Sequence, residues 1–315
     1  SAASDVYKRQ PLLAGGHLYD TISIPTLAFK GNNWLRVEVN PYTDATQSTT
    51  DQPELTHINN VMQLAFTVGG EDVNPILDVT FDGQHILNND IIAPQSEILI
   101  TLKDDNPYLI MDSDSDTSLF AVYLTDPDGN MKKIPFVDAQ GVVIMEWVPA
   151  NATNKKFKIV YPALFTKDGT YTLLVQGQDR SGNLSGDYEY KINFKVILES
   201  AITEIMNYPN PFSTSTRFVF TLTGAEIPDE VLIQIMTING RVVREITESE
   251  LGLIRIGRNV TEYAWDGKDA FGDELANGVY LYRVIVRKGG KEIKHLDSGA
   301  DAYFHKGMGK MYKLR

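Results

Sequence analysis

Cysteine is absent from this 315-residue chain, which excludes disulfides, thiolate zinc sites and cysteine nucleophiles. Long apolar runs are missing too: no stretch approaches ~18 consecutive apolar residues, so none is built to cross a bilayer as a helix. Basic residues are in deficit, with 29 Lys and Arg against 41 Asp and Glu, a net charge of -12. The deficit is uneven. Residues 199–315 carry 15 basic and 16 acidic side chains, whereas the rest carries 14 and 25. An acidic surface disfavours nucleic acid and anionic membranes. The five histidines (His17, His57, His85, His295, His305) form no H-E-x-x-H or other ligand-spaced pair. A phosphate-binding glycine loop and a nucleophile elbow are lacking as well. The opening "SAASDVYKRQ" has neither an initiating Met nor signal-peptide design. Residues 1–16 are therefore expected to be a non-native or disordered start, and the chain the C-terminal fragment of a longer exported protein.

What is present is strand-and-turn patterning. Helical periodicity is scarce, and nearly every apolar run is short and ends in Gly, Asn, Asp or Pro. The expected fold class is all-β, tandem immunoglobulin-like sandwiches with the first truncated. Residues 17–72 read as strands around "NNWLRVEV" and "MQLAFTV", with Leu35, Val37 and Val39 alternating against Trp34, Arg36 and Glu38. Residues 73–198 hold seven strand-like runs, from "PILDVTFDG" to "YKINFKVI". Asp82-Gly83, Asp128-Gly129, Asp168-Gly169 and Ser181–Asn183 supply turns between them. Residues 199–315 add strands near 216–222, 231–238, 242–246, 259–265, 279–287 and 310–314. In "NGVYLYRVIV" the face Tyr280, Tyr282, Val284, Val286 is the more apolar and is expected inside. Before them stands "NYPNPF", residues 207–212. Its two prolines lack N–H groups, so the stretch predicts a rigid arm outside the ladder, packing Tyr208 and Phe212 on the sandwich.

Several separated motifs carry a resemblance. Asn207, Tyr208, Pro209, Asn210, Pro211 and Phe212 open the set. "NGRVV" follows with Gly240 and Arg241, then "WDG" with Trp265, Asp266 and Gly267, then "NGVY" with Gly278 and Tyr280. A basic final strand holds Lys310, Lys313 and Arg315. In this order, over about residues 202–315, they resemble the C-terminal sorting domain of type IX secretion substrates, itself similar to the immunoglobulin-like domain of the flagellar hook-capping protein. The insert "ESELGLIRIGRNVTEY" and the tail resemble the C-termini of gingipain-like secreted peptidases, whose catalytic region this chain lacks. Residues 34–60 resemble the second half of an adhesion-type immunoglobulin-like module, through Trp34–Val39, Glu54 and Asn59–Asn60.

The resemblance implies a non-catalytic, secreted or cell-surface protein. Its final sandwich would be read by the type IX translocon and, in many relatives, removed by a sortase-like protease; the upstream modules would be spacers. The alternatives are glycan- or calcium-binding accessory modules of a secreted hydrolase, or a hook-capping scaffold. No cofactor is expected. Asp112, Asp114 and Asp116 in "DSDSD" form the calcium candidate, although Thr117 stands where an EF-hand needs Gly and Tyr123 where it needs Glu. Asp126 with Asp128, and Asp179, are read as turn formers. Trp147 and Trp265 are expected in cores; Trp34 is the least constrained.

Overall fold

The computed structural model describes residues 29–39, 58–70, 72–106, 109–296, 304–305 and 307–314, with 17, 19 and 21–26 ahead of them. The chain divides into two units, Ser1–Asp72 and Val73–Arg315. In the first, β1 (Gly31–Glu38) pairs antiparallel with β2 (Val61–Val68), and Asn59 and Asn60 sit in a 3-10 turn ahead of β2. Leu35 and Val37 are half-buried while Trp34, Arg36 and Glu38 are exposed, as expected, but Val39, expected on the inner face, lies past the end of β1 and is exposed. Glu54 lies outside the described residues.

Val73–Arg315 contains two immunoglobulin-like β-sandwiches. The first is built from β3 (Ile76–Phe81), β4 (Asp90–Ile92), β5 (Gln95–Lys103), β6 (Phe120–Thr125), β7 (Met131–Lys133), β8 (Glu146–Val148), β9 (Lys156–Leu164), β10 (Gly169–Gly177) and β11 (Tyr190–Val196). Sheet orders are β4-β11-β10-β6-β7 and β3-β5-β9-β8. The core follows from period-2 patterning: Ile98, Ile100 and Leu102 of β5 and Tyr171, Leu173 and Val175 of β10 point inward, joined by Phe157 and Phe194. Two short strands, β4 and β7, were not legible as apolar runs. Within the apolar run "VVIMEWVP", one of the seven, only β8 is strand, because Gly141 closes a turn and leaves Val142 and Val143 exposed.

The second sandwich comprises β12 (Ala201–Tyr208), β13 (Arg217–Leu222), β14 (Glu230–Thr237), β15 (Val242–Ile246), β16 (Gly257–Val260), β17 (Gly278–Lys288), β18 (Lys291–Glu292), β19 (Lys294–His295), β20 (Phe304–His305) and β21 (Met308–Lys313). One sheet runs β16-β13-β12-β19 and the other β15-β14-β17-β21-β20, with β18 on β17. Tyr280, Tyr282, Val284 and Val286 are all buried in its core, as the alternation predicted. The insert, residues 248–263, contributes a four-residue helix, α1 (Glu248–Leu251), whose Leu251 plugs the core, and then β16, which covers 257–260 where a strand near 259–265 was expected.

The leading arm needs correction in two places. It is preceded by a full strand, β12, whose last residues Asn207 and Tyr208 pair with Phe218 and Arg217. A bulge between Thr203 and Met206, with Glu204 at φ 52°, breaks the alternation that would have revealed β12. Tyr208 does not pack on the sandwich but is 73% exposed, since it ends β12 on the outward face; Phe212 is buried as expected.

Candidate functional site

Residues from four separated motifs meet at the last strand. β21 alternates strictly: Met308, Lys310 and Tyr312 face out, while Gly309, Met311 and Lys313 face in. One edge of β21 pairs with β17, Tyr280 opposite Met311 and Gly278 opposite Lys313. The other edge pairs with β20 at Met308 and Gly309, and beyond them it is closed by the arm. Asn210 behaves as a surrogate backbone unit: its Nδ2 donates to Lys310 O at 2.9 Å, and its Oδ1 accepts from Tyr312 N at 3.0 Å. Phe212 N then donates to Tyr312 O at 2.9 Å, and Leu314 N donates to Phe212 O at 2.7 Å. The prolines stay out of this ladder, as their missing N–H requires. Asn207 and Thr216 brace the arm from behind: Asn207 Nδ2 donates to Thr216 Oγ1 at 3.0 Å, and Thr216 Oγ1 to Pro209 O at 2.8 Å.

The W-D-G loop supports the same strand from inside. Trp265 is fully buried, 5.4 Å from Phe212 and 5.8 Å from Tyr280 by ring centroids. Its backbone exchanges hydrogen bonds with Thr216, and its Nε1 donates to Lys268 O at 2.8 Å. Asp266 accepts from Lys268 N at 3.2 Å, tightening the turn. Gly267 sits at φ 81°, and a Cβ there would lie 2.2 Å from Lys313 Cε, so only glycine lets the loop lie against that stem. The Lys313 side chain is 4% exposed; its ammonium donates to Leu275 O at 2.8 Å and reaches Glu274 at 3.3 Å. Tyr280 caps the preceding turn by donating its hydroxyl to Ala276 O at 2.7 Å. Lys310 instead projects outward, its ammonium 5.1 Å from the Tyr312 ring centre.

The motif residues at 207–212, 265–267, 278, 280, 310 and 313 meet in this assembly, together with residues that were not named from sequence. Lys313 was expected as part of a basic strand; it is buried. Thr216, Glu274 and Leu275 were not singled out. The signal for Lys313 was present in "GKMYKL", because alternation places it on the same face as Met311. Gly240 and Arg241 lie apart, in the hairpin after β14, where Thr237 N donates to Arg241 O at 2.9 Å. Arg315 lies outside the described residues. Replacing Asn210 with alanine strips Lys310 O and Tyr312 N of their partners. The expected cost is about 1–2 kcal/mol, with faster amide exchange at Tyr312 than at Met311 as the check.

In the acidic loop the three candidate carboxylates all have protein partners. Ser113 caps a 3-10 turn, Asp114–Leu119, that holds Asp114 and Asp116, with Asp112 just ahead of it. Asp116 is 5% exposed and takes a two-pronged contact from Arg180, Nε to Oδ1 at 2.9 Å and Nη2 to Oδ2 at 2.7 Å. Asp112 meets the same Nη2 at 2.9 Å. Asp114 accepts from Trp147 Nε1 at 2.9 Å, and Trp147 lies edge-on to Phe136 at 5.7 Å. The Asp116 hydrogen bond and charge push the Arg180 guanidinium pKa up, so it stays a cation. Arg180 thus supplies the positive charge that faces Asp112 and Asp116. Among the described residues no three His, Asp or Glu side chains converge as a metal-holding group.

The remaining acidic turns serve the backbone. Asp179 accepts from Asn183 N at 2.8 Å, and Asp126 from Asn130 N at 2.9 Å and Asp128 N at 3.0 Å. The Asn130 backbone and side-chain bonds hold the Asp126 carboxyl below the usual carboxylate range. A depressed folded-state pKa contributes stability above the unfolded value and loses it as pH falls through the folded one. Asn130 amide protection is accordingly expected to persist through the ordinary carboxylate range and to fall only below it, checked by amide exchange against pH.

No known protein family matches the chain, and no curated protein matches it. Solved structures that align with it include dimeric latent PorU from Porphyromonas gingivalis, 17% identical over 84% of this chain and 21% of that one, TM-score 0.29. The Escherichia coli adhesin FdeC aligns at 12% identity over 82% of this chain and 70% of its own, TM-score 0.24. The fibronectin(III)-like modules of Clostridium thermocellum CbhA align at 12% over 72% and 98%, TM-score 0.21. The chain spans about a fifth of the PorU chain. At these scores the likeness carries no argument about activity or partners, and the sandwich assignment stands on strand order, register and cores.

Proposed function

We propose that this chain is a non-catalytic part of an exported bacterial protein, with residues 199–315 acting as a type IX export and surface-attachment module. The observation that supports this most is the convergence on β21. The arm at 207–212, the loop at 265–267, the turn at 278–280 and the strand at 310–313 are far apart in sequence, yet they form one hydrogen-bonded assembly. A recognition element of that kind exists only in the folded sandwich, so a translocon would read a folded surface, with Lys310, Tyr312 and Met308 presented on it. The polar side chains named above are spent on turns, caps and ion pairs, which fits a binding module better than an enzyme. The sandwich at 73–198 then serves as a spacer, and a sortase-like protease is the expected processing partner.

The test is an export assay in a type IX-competent bacterium. A fluorescent protein with a signal peptide is fused ahead of the full chain and compared between the competent strain and a translocon-deficient one. A surface or medium fraction that disappears without the translocon supports the proposal. Folded protein held in the periplasm of both strains would sink it.

A further inference from the structure

The two sandwiches of Val73–Arg315 are joined by only four residues, 197–200, between β11 and β12. The side chains of Leu198, Glu199 and Ser200 are exposed, which would suit a protease if the backbone were free. It is not free. Leu198 N donates to Asp168 Oδ1 of the first sandwich at 2.6 Å. Ile197 O accepts from Gly224 N of the second at 3.0 Å, and Glu199 O accepts from Thr223 Oγ1 at 2.6 Å. The joint is thus pinned from both sides. A second contact lies where β16 begins. Gly257 sits at φ 95°, and a Cβ there would lie 2.7 Å from Ile91 O, so the backbones of the two sandwiches touch. Ile91, at this seam, is itself buried.

We propose that Val73–Arg315 is one cooperative body, in which this seam holds the C-terminal sandwich in a set orientation on its neighbour and closes the joint to proteolytic processing. A protease needs a segment drawn out into extended form, and a short hydrogen-bonded joint has to open first. The start of the body and the ground just ahead of it differ: Gly69, Gly70, Asp72, Val73 and Asn74 are exposed and lie outside strands. This inference stands apart from the export reading. Joined to it, the inference means that a processing enzyme cuts ahead of the paired sandwiches or acts on an opened seam.

The experiment is limited proteolysis of the native full chain with dilute proteinase K, read by intact mass, beside scanning calorimetry. Early cuts within 69–74, one persistent fragment holding both sandwiches, and a single unfolding transition for that fragment are expected. Early cutting at 197–200, or two separate transitions, would overturn the proposal. Gly257→Ala forces the seam apart, and Thr223→Val removes the Glu199 bond at nearly constant volume. Each is expected to raise cleavage at 197–200 at least roughly fivefold. If Gly257→Ala does not fold, Thr223→Val decides alone. Unchanged protection in a folded Thr223→Val protein would show that the seam does not guard the joint.

Discussion

Trp265→Ala is expected to destabilise the C-terminal sandwich by about 3–5 kcal/mol, the range for deleting a large aromatic from a core. Domains are stable by only about 5–15 kcal/mol, so this one change removes much of the reserve. Trp265 has no exposed surface, touches Phe212 and Tyr280, and its indole N–H closes the loop onto Lys268 O. The cavity would open between the arm and β17, and β21 would lose its support from inside. Far-UV circular dichroism in urea measures the effect without depending on the lost fluorophore. Trp265→Phe separates the two contributions: it keeps an aromatic ring but drops the Lys268 bond, and should cost less. A shift under about 1 kcal/mol for Trp265→Ala would contradict the packing described.

The second large effect is expected at Arg180. Arg180→Met leaves the Asp116 carboxylate almost fully buried with Ser113 N as a remaining donor at 3.0 Å. Removing one partner of a buried ion pair costs about 3–5 kcal/mol, because a charge stays behind without its counterion. Arg180 itself is partly exposed, with 28% of its side chain accessible, so water reaches the site and the lower end is expected. The companion variant carries Arg180→Met and Asp116→Asn together. Stability should recover substantially in the pair, because the stranded charge is gone. Equal losses in the single and double variants would mean that the packing of the arginine stem, not its charge, holds the loop. Calcium bears on the same cluster. With Arg180 in place, added calcium should leave the melting temperature unchanged; a clear rise would support the metal reading.

The fold class was readable because it depends on consecutive residues. The Tyr280–Val286 alternation marks the inner face of β17 whatever lies opposite, and the Asp-Gly and Asn-Gly pairs mark where strands must turn. β12 was hidden for the same reason: one bulge at Glu204 breaks the local period, and the prolines after it carry the stronger local signal. Tyr208 was misplaced because an aromatic next to proline looks like packing material, whereas its face is set by the pairing of β12 with β13.

The site was legible as a set of motifs but not as an arrangement. Composition and spacing by themselves determined an all-β chain without cysteine chemistry, its turn positions and the inward face of its longest strand. Only the tertiary structure decided that Asn210 closes the edge of β21, that Lys313 is buried beneath Gly267, and that Arg180 answers the aspartates at 112 and 116. Those partners lie about 50 to 100 residues apart. A strand's period and a turn's chemistry act between neighbours along the chain, whereas hydrogen bonds and charges act between neighbours in space, and folding alone makes those the same residues.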